Sequence, residues 1–151
     1  MTKTLYLLCC VLLVHVSCSS QSAEDLWSKA KKEMDSEVKL ELMDRALELE
    51  PKRAEWYFDR GAIHEIEVWS VKDMVQKGMR PDDGLAEEHY RKALADFGKT
   101  IELKPSYAQA FYQRGLVHFE MGGHIDEACK DWKAALDLGY DAQDMIAKNC
   151  P

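Results

Sequence analysis

The chain has 151 residues, 46% of them hydrophobic and 31% charged, with a formal net charge of −7; these are the proportions of one ordinary domain with enough apolar surface for a continuous core. Four prolines and eight glycines exclude a disordered or collagen-like chain, and the frequent Ala, Leu, Glu and Lys favour helix over an all-β fold. A surface this acidic will neither track a phosphate backbone nor cling to anionic headgroups, so nucleic acid is not an expected partner.

The amino terminus differs from the rest. After Lys3 comes an apolar run from Leu5 to Val16 without an acid, twelve residues long, too short to span a bilayer and of the right length for a secretory signal. The small, polar stretch "VSCSSQS" follows, with Cys18 in it. A cysteine just after a short apolar segment resembles the bacterial lipoprotein signal, and the resemblance implies that Cys18 becomes the lipid-bearing first residue of the mature protein. A plain secretory signal, cleaved for example near Ala23, is the alternative. On this reading residues 1–17 are the signal, 18–22 a short tether and 23–151 the folded domain. Removal of the signal takes away Lys3 alone among the charged side chains and leaves 19 basic against 27 acidic, a formal −8.

Ser22 can cap a helix running to about Met34, Asp35 and Ser36 turn the chain, and a second helix ends at Pro51, which cannot easily continue it. A third helix, starting near Lys52, meets no breaker until Gly78 and is expected to run for about 25 residues and about 37 Å. "GMRPDDG" ends it. A fourth helix is expected from Leu85 to Leu103, a fifth from Ser106 to about Met121, and a sixth after the "MGGH" turn, ending at Gly139–Tyr140. Asp141 then offers a cap to a short last helix with Ala142, Met145 and Ile146 on its apolar side.

Two stretches say nearly the same thing: "PKRAEWYFDRG" from Pro51 and "PSYAQAFYQRG" from Pro105, 54 residues apart. The register pairs Ala54 with Ala108, Tyr57 with Phe111, Arg60 with Arg114, Gly61 with Gly115 and His64 with His118, and the matched Ala54, Tyr57, Gly61 and His64 share one helical face. A glycine at the same point of two helices suggests a neighbouring backbone that comes close. In the helices that follow, Ala93 matches Ala128, Asp96 matches Asp131 and Phe97 matches Trp132, only 35 residues apart. The surplus lies between the two helices of the earlier copy, as an extension of both. Ile66, Trp69, Met74 and Val75 give it an apolar stripe, which either packs the two arms on each other or makes a docking arm.

The pattern A-x-x-aromatic-x-x-R-G-x-x-H, followed by A-x-x-D-aromatic and a closing Leu-x-Pro, resembles the tetratricopeptide repeat. The likeness covers residues 23–140 and is strongest in the last two units. It implies an all-α fold of three helical hairpins in a right-handed superhelical array, the middle hairpin elongated, closed by a C-terminal capping helix. It also implies a concave, peptide-binding surface lined by the first helix of each hairpin, whose positions map here to Glu55, Phe58, Asp59, Ala62 and Glu65 and to Gln109, Tyr112, Gln113, Leu116 and Phe119. Tyr112, Leu116 and Phe119 would be an unusual apolar stripe if exposed, unless the terminal hairpins cover it. The Lys and Asn with which the family clamps a carboxylate tail are absent from these positions.

Cys129 lies about ten residues before the turn at Gly139–Tyr140 and Cys150 about ten after it, so antiparallel helices of equal rise would bring them level. In an exported protein they are expected to form a disulfide; two buried thiols are the alternative. His64 and His118 are read as core side chains, because no His-x-x-x-His or Cys-x-x-Cys spacing supplies a metal set. No nucleophile motif, phosphate loop or zinc signature is present, so neither enzymatic activity nor a cofactor or metal is expected. The sequence therefore predicts an exported module of the bacterial cell envelope, anchored to the membrane by lipid on Cys18, or else periplasmic or secreted. It would bind a protein or peptide as an adaptor or accessory subunit, as a monomer or with weak self-association; a self-associating structural spacer is the alternative.

Overall fold

The computed structural model describes residues 21–81 and 83–151. The apolar run and Cys18 lie outside these. The described residues form seven helices and no strand: α1 (Ala23–Lys32), α2 (Ser36–Leu49), α3 (Ala54–Gln76), α4 (Leu85–Leu103), α5 (Ala108–Met121), α6 (Ile125–Asp137) and α7 (Gln143–Asn149). None of them is long and apolar enough to cross a membrane. The three expected hairpins are α1/α2, α3/α4 and α5/α6, with α7 folded back on α6.

Local signals place the ends. Ser22 and Asp25 cap α1 reciprocally, each side chain accepting from the other residue's backbone N–H, and Asp35 Oδ1 accepts from Val38 N at 3.0 Å to start α2. Glycines at φ 69° (Gly78) and 80° (Gly84) turn the chain between α3 and α4, a conformation that costs a residue without a Cβ little. The 23 residues of α3 make a rod of about 34 Å, rising above its neighbours.

Two copies of one contact hold the second and third hairpins together. Arg60 forks onto the Asp96 carboxylate, Nε at 2.8 Å and NH2 at 2.6 Å, and Arg114 grips Asp131 in the same way at 2.8 and 2.7 Å. Asp96 is 4% and Asp131 3% exposed. Burial works against the Arg60 charge, but the hydrogen bonds and field of Asp96, with the field of Asp44, outweigh it and raise the guanidinium's pKa. Beside each fork lies the repeated glycine. A Cβ on Gly61 would come within 3.0 Å of the Phe97 ring, and one on Gly115 within 2.7 Å of the Trp132 indole. The close neighbour inferred from the sequence is thus chiefly an aromatic ring of the paired helix, with backbone near only at Gly115, where Ala128 O is 3.2 Å away.

The first hairpin lacks glycine and fork and is held by apolar packing around Leu26, Trp27, Ala30, Leu42, Met43, Ala46 and Leu47. Trp27 stacks on Trp56 of α3 at 4.6 Å between ring centroids and 8° between planes, joining the first hairpin to the second. At the other end a disulfide links Cys129 of α6 to Cys150 after α7, Cα to Cα 5.7 Å, and Ala142, Met145 and Ile146 pack against the Trp132 cluster. Closing a loop of this size stabilises by about 3 kcal/mol on the chain-entropy model.

In the elongated hairpin, Val68 packs with Tyr90 and holds the arms together; Val71 is buried, and Met74 and Val75 are half-buried. Ile66 and Trp69 stay outside, each 60% exposed.

Replacing Gly115 by Ala drives a Cβ into the Trp132 ring and should destabilise the protein by about 1–3 kcal/mol. Gly61→Ala, with slightly more room, should cost less. Urea unfolding of the two variants and the parent checks the order, and an unaffected Gly115→Ala would remove the close approach from this account.

Candidate functional site

The first helices of the hairpins are joined by side chains that bridge them: Trp27 to Trp56 between α1 and α3, and Gln113 Nε2 donating to Glu65 Oε2 at 3.1 Å between α5 and α3. The residues expected to line the face divide into three groups. Glu55 and Gln109 are exposed, Glu55 bound to Lys104 at 2.8 Å, and Asp59, Ala62 and Gln113 are half-buried. Tyr112 and Leu116 are partly covered, the former against Tyr140 at 4.8 Å between centroids and both packed into the Trp132 cluster. Phe119 remains 42% exposed beside the Trp132 ring.

Phe58 requires a correction. It is 9% exposed, stacked on Tyr107 at 5.0 Å and tilted against Phe97 at 5.6 Å. It fills the junction between α3, α4 and the start of α5 and supports the face from beneath, because its place on α3 faces the neighbouring hairpin.

The continuous stripe lies elsewhere. Asp59, Ala62, Ile66 and Trp69 follow one another at three, four and three residues along α3, the first two half-buried and the last two exposed, so one row runs from the expected groove up the elongated arm. Sequence reasoning assigned its upper half to the extension and its lower half to the groove; the uninterrupted 3.6-residue period across both was the available signal.

The electrostatics of this face are uneven. Burial and the neighbouring Glu120 raise the Glu65 carboxyl to about 7, against the opposing bond from Gln113. Burial also raises the Asp59 carboxyl, opposed by Lys31. Lys72 donates to Tyr90 Oη at 2.6 Å, and Tyr90 Oη donates to Glu120 at 3.3 Å. Among the described residues, Asp59, Glu65 and Glu120 take part in no ion pair.

On another side of α3, a cleft of about 810 Å³ opens between α2, α3 and α4. His64 and His89 meet there, Nδ1 to Nδ1 at 3.1 Å. His64 is buried, and desolvation, reinforced by His89, lowers its pKa to about 3; burial lowers that of the half-buried His89 too. Its repeat equivalent, His118, faces His124 at 5.9 Å between ring centroids, and its buried Nδ1 has no hydrogen-bond partner.

No family model matches the chain. It is 33% identical over 125 residues to the Protein SGT1 homolog of Oryza sativa subsp. japonica, an alignment covering 81% of this chain and 27% of that protein. The chain thus spans about a quarter of its relative's length. Among solved structures, the first TPR of Spaghetti (RPAP3), bound to the HSP90 peptide SRMEEVD, superposes with a TM-score of 0.62 at 18% identity, over 88% of this chain and 94% of that one. The fold is that of the tetratricopeptide repeat. MamA superposes with a TM-score of 0.60 at 22% identity, over 88% of this chain and 61% of that one. At these identities the likeness establishes the hairpin array and leaves the ligand to be argued from the tetratricopeptide-like face itself.

The two perturbed groups predict opposing pH effects. His64 has a folded pKa below its unfolded one, so its contribution is complete above about pH 6.5 and is lost as the pH falls towards 3. Glu65 has a folded pKa above its unfolded one, so its contribution is present below about 4.5 and is lost as the pH rises through 7. Urea unfolding between pH 4 and 8 should show Glu65→Gln gaining on the parent as the pH rises from 5 to 7.5, and His64→Phe gaining as it falls below 6. A pH-independent difference for either variant would reject that assignment.

Proposed function

We propose that this tetratricopeptide-like chain is an exported, non-enzymatic adaptor of a cell envelope, anchored through lipid on Cys18, which holds a partner protein by an extended segment laid along the α1/α3/α5 face. The observation carrying this reading is the row on α3 that rises from half-buried Asp59 and Ala62 to exposed Ile66 and Trp69, with Phe119 exposed on α5. Exposed aromatic and aliphatic side chains beside a shallow acidic surface favour a partner over bare solvent. Asp59, Glu65 and Glu120, which form no ion pair among the described residues, fit Lys or Arg on that partner and would repel an acidic tail such as the SRMEEVD peptide held by the RPAP3 domain. The disulfide of Cys129 and Cys150 supports export, since such bonds persist in oxidising compartments.

A photo-crosslinking amino acid at Gln113, between the acids and the apolar row, should trap a discrete partner in cells. Trp69→Ala and Glu65→Lys should each reduce that product at least tenfold with helix content unchanged. Equal trapping by all three proteins would remove the face from the proposal, and a mass that rises with concentration in light scattering would replace the adaptor by a self-associating spacer. For the anchor, the mature N-terminal peptide isolated from membranes should carry a diacylated or triacylated Cys18. An unmodified start near Ser19 or Ala23 would leave a soluble periplasmic or secreted module.

A further inference from the structure

We infer that His64 and His89 form a binding site for a divalent late transition-metal ion such as Zn²⁺, Ni²⁺ or Cu²⁺, at the wall of the cleft between α2, α3 and α4. The two Nδ1 atoms lie 3.1 Å apart. Imidazole nitrogens at their usual distance of about 2.0–2.1 Å from one ion are separated by about 3.3 Å at a tetrahedral angle and by about 2.9 Å at a right angle, so this spacing falls between the two geometries. The pair spans the hairpin, His64 on α3 and His89 on α4, which is why no local spacing in the sequence revealed it.

The cleft around the pair carries charges of both signs, with acids in excess. Glu37, Glu41 and Asp44 of α2, Glu67 of α3 and Asp96 of α4 line the cleft against Arg60 and Lys92. Both basic groups are engaged, Arg60 with Asp44 and Asp96 and Lys92 with Glu88 at 2.7 Å; their fields oppose positive charge at His64, and Glu67 and Glu88 favour it at His89. Among the described residues, no group of three or more His, Cys, Asp or Glu is already gathered for a metal. The protein therefore supplies two imidazoles, and water completes the coordination. With the ion absent, one imidazole donates to the other. Binding replaces that hydrogen bond by two metal–nitrogen bonds and releases a proton for any imidazole still charged.

The test titrates chelator-stripped full-length protein with Zn²⁺ by calorimetry at pH 7.5, beside His64→Gln, His89→Ala and, as a control, His124→Ala. The parent and the control should bind one ion per chain that His64→Gln and His89→Ala bind at least tenfold more weakly, and Cu²⁺ electron paramagnetic resonance of the parent should show coupling to two imidazole nitrogens. If His64→Gln fails to fold, the half-buried His89→Ala decides alone. Unchanged affinity in His89→Ala, or a Cu²⁺ spectrum without two nitrogens, would overturn the assignment.

Discussion

The architecture depends on two dipeptides that interlock across a helix pair. Arg60-Gly61 on α3 meets Asp96-Phe97 on α4, and Arg114-Gly115 on α5 meets Asp131-Trp132 on α6. The glycine lets the ring approach; the ring shields the carboxylate; the carboxylate is tolerable in the interior because the guanidinium meets it with two hydrogen bonds in a fixed plane. Removing either charge would strand the other, a loss of about 3–5 kcal/mol in comparable buried pairs. Leu or Met in place of the whole unit would satisfy burial, but an apolar pair can slide by a turn and a two-pronged fork cannot. The fork therefore fixes the register in which each hairpin offers its outer face.

The same reasoning explains what was legible. Helix number, order and most ends followed from caps, prolines and glycines; α4 was placed closely, because Gly84 and Lys104–Pro105 punctuate it on both sides. The level of Cys129 and Cys150 followed from the turn between them. The sequence also matched Arg60 with Arg114 and Asp96 with Asp131, but repeat register says only which residues are equivalent. That each arginine meets the aspartate of its own hairpin depends on the tilt between two helices, which a one-dimensional pattern does not carry. Phe58 was misplaced for a related reason: its repeat position faces outward only where no neighbouring hairpin leans over it, and here Tyr107 does.

The elongation reorganises the middle of the array without disturbing this unit. Its arms close on Val68 and Tyr90, and Tyr90 links Lys72 of α3 to Glu120 of α5, bracing the arm against the next hairpin. The side of α3 carrying His64 faces an open cleft between α2 and α4. In the third hairpin, with no such extension, His118 meets the ring of His124 in the following turn. Equivalent histidines thus acquire different surroundings from an insertion that touches neither.

Glu65 marks the point where stability and recognition diverge. A carboxylate sunk beside Glu120, with an amide for a partner, costs folding free energy at neutral pH that a Lys or Arg at position 113 would recover. The chain has 20 basic residues and places them elsewhere: Lys104 on Glu55, Arg53 on Glu24 and Glu50, Arg60 and Arg114 inside the hairpins. Pairs that neutralise one another surround a strip where, among the described residues, Asp59, Glu65 and Glu120 form no ion pair and Ile66 and Trp69 of α3 are exposed. Local departures of this kind from the most stable arrangement, set within an otherwise consistent fold, are where function is to be sought. A cationic, apolar segment arriving from another chain would supply both missing complements at once.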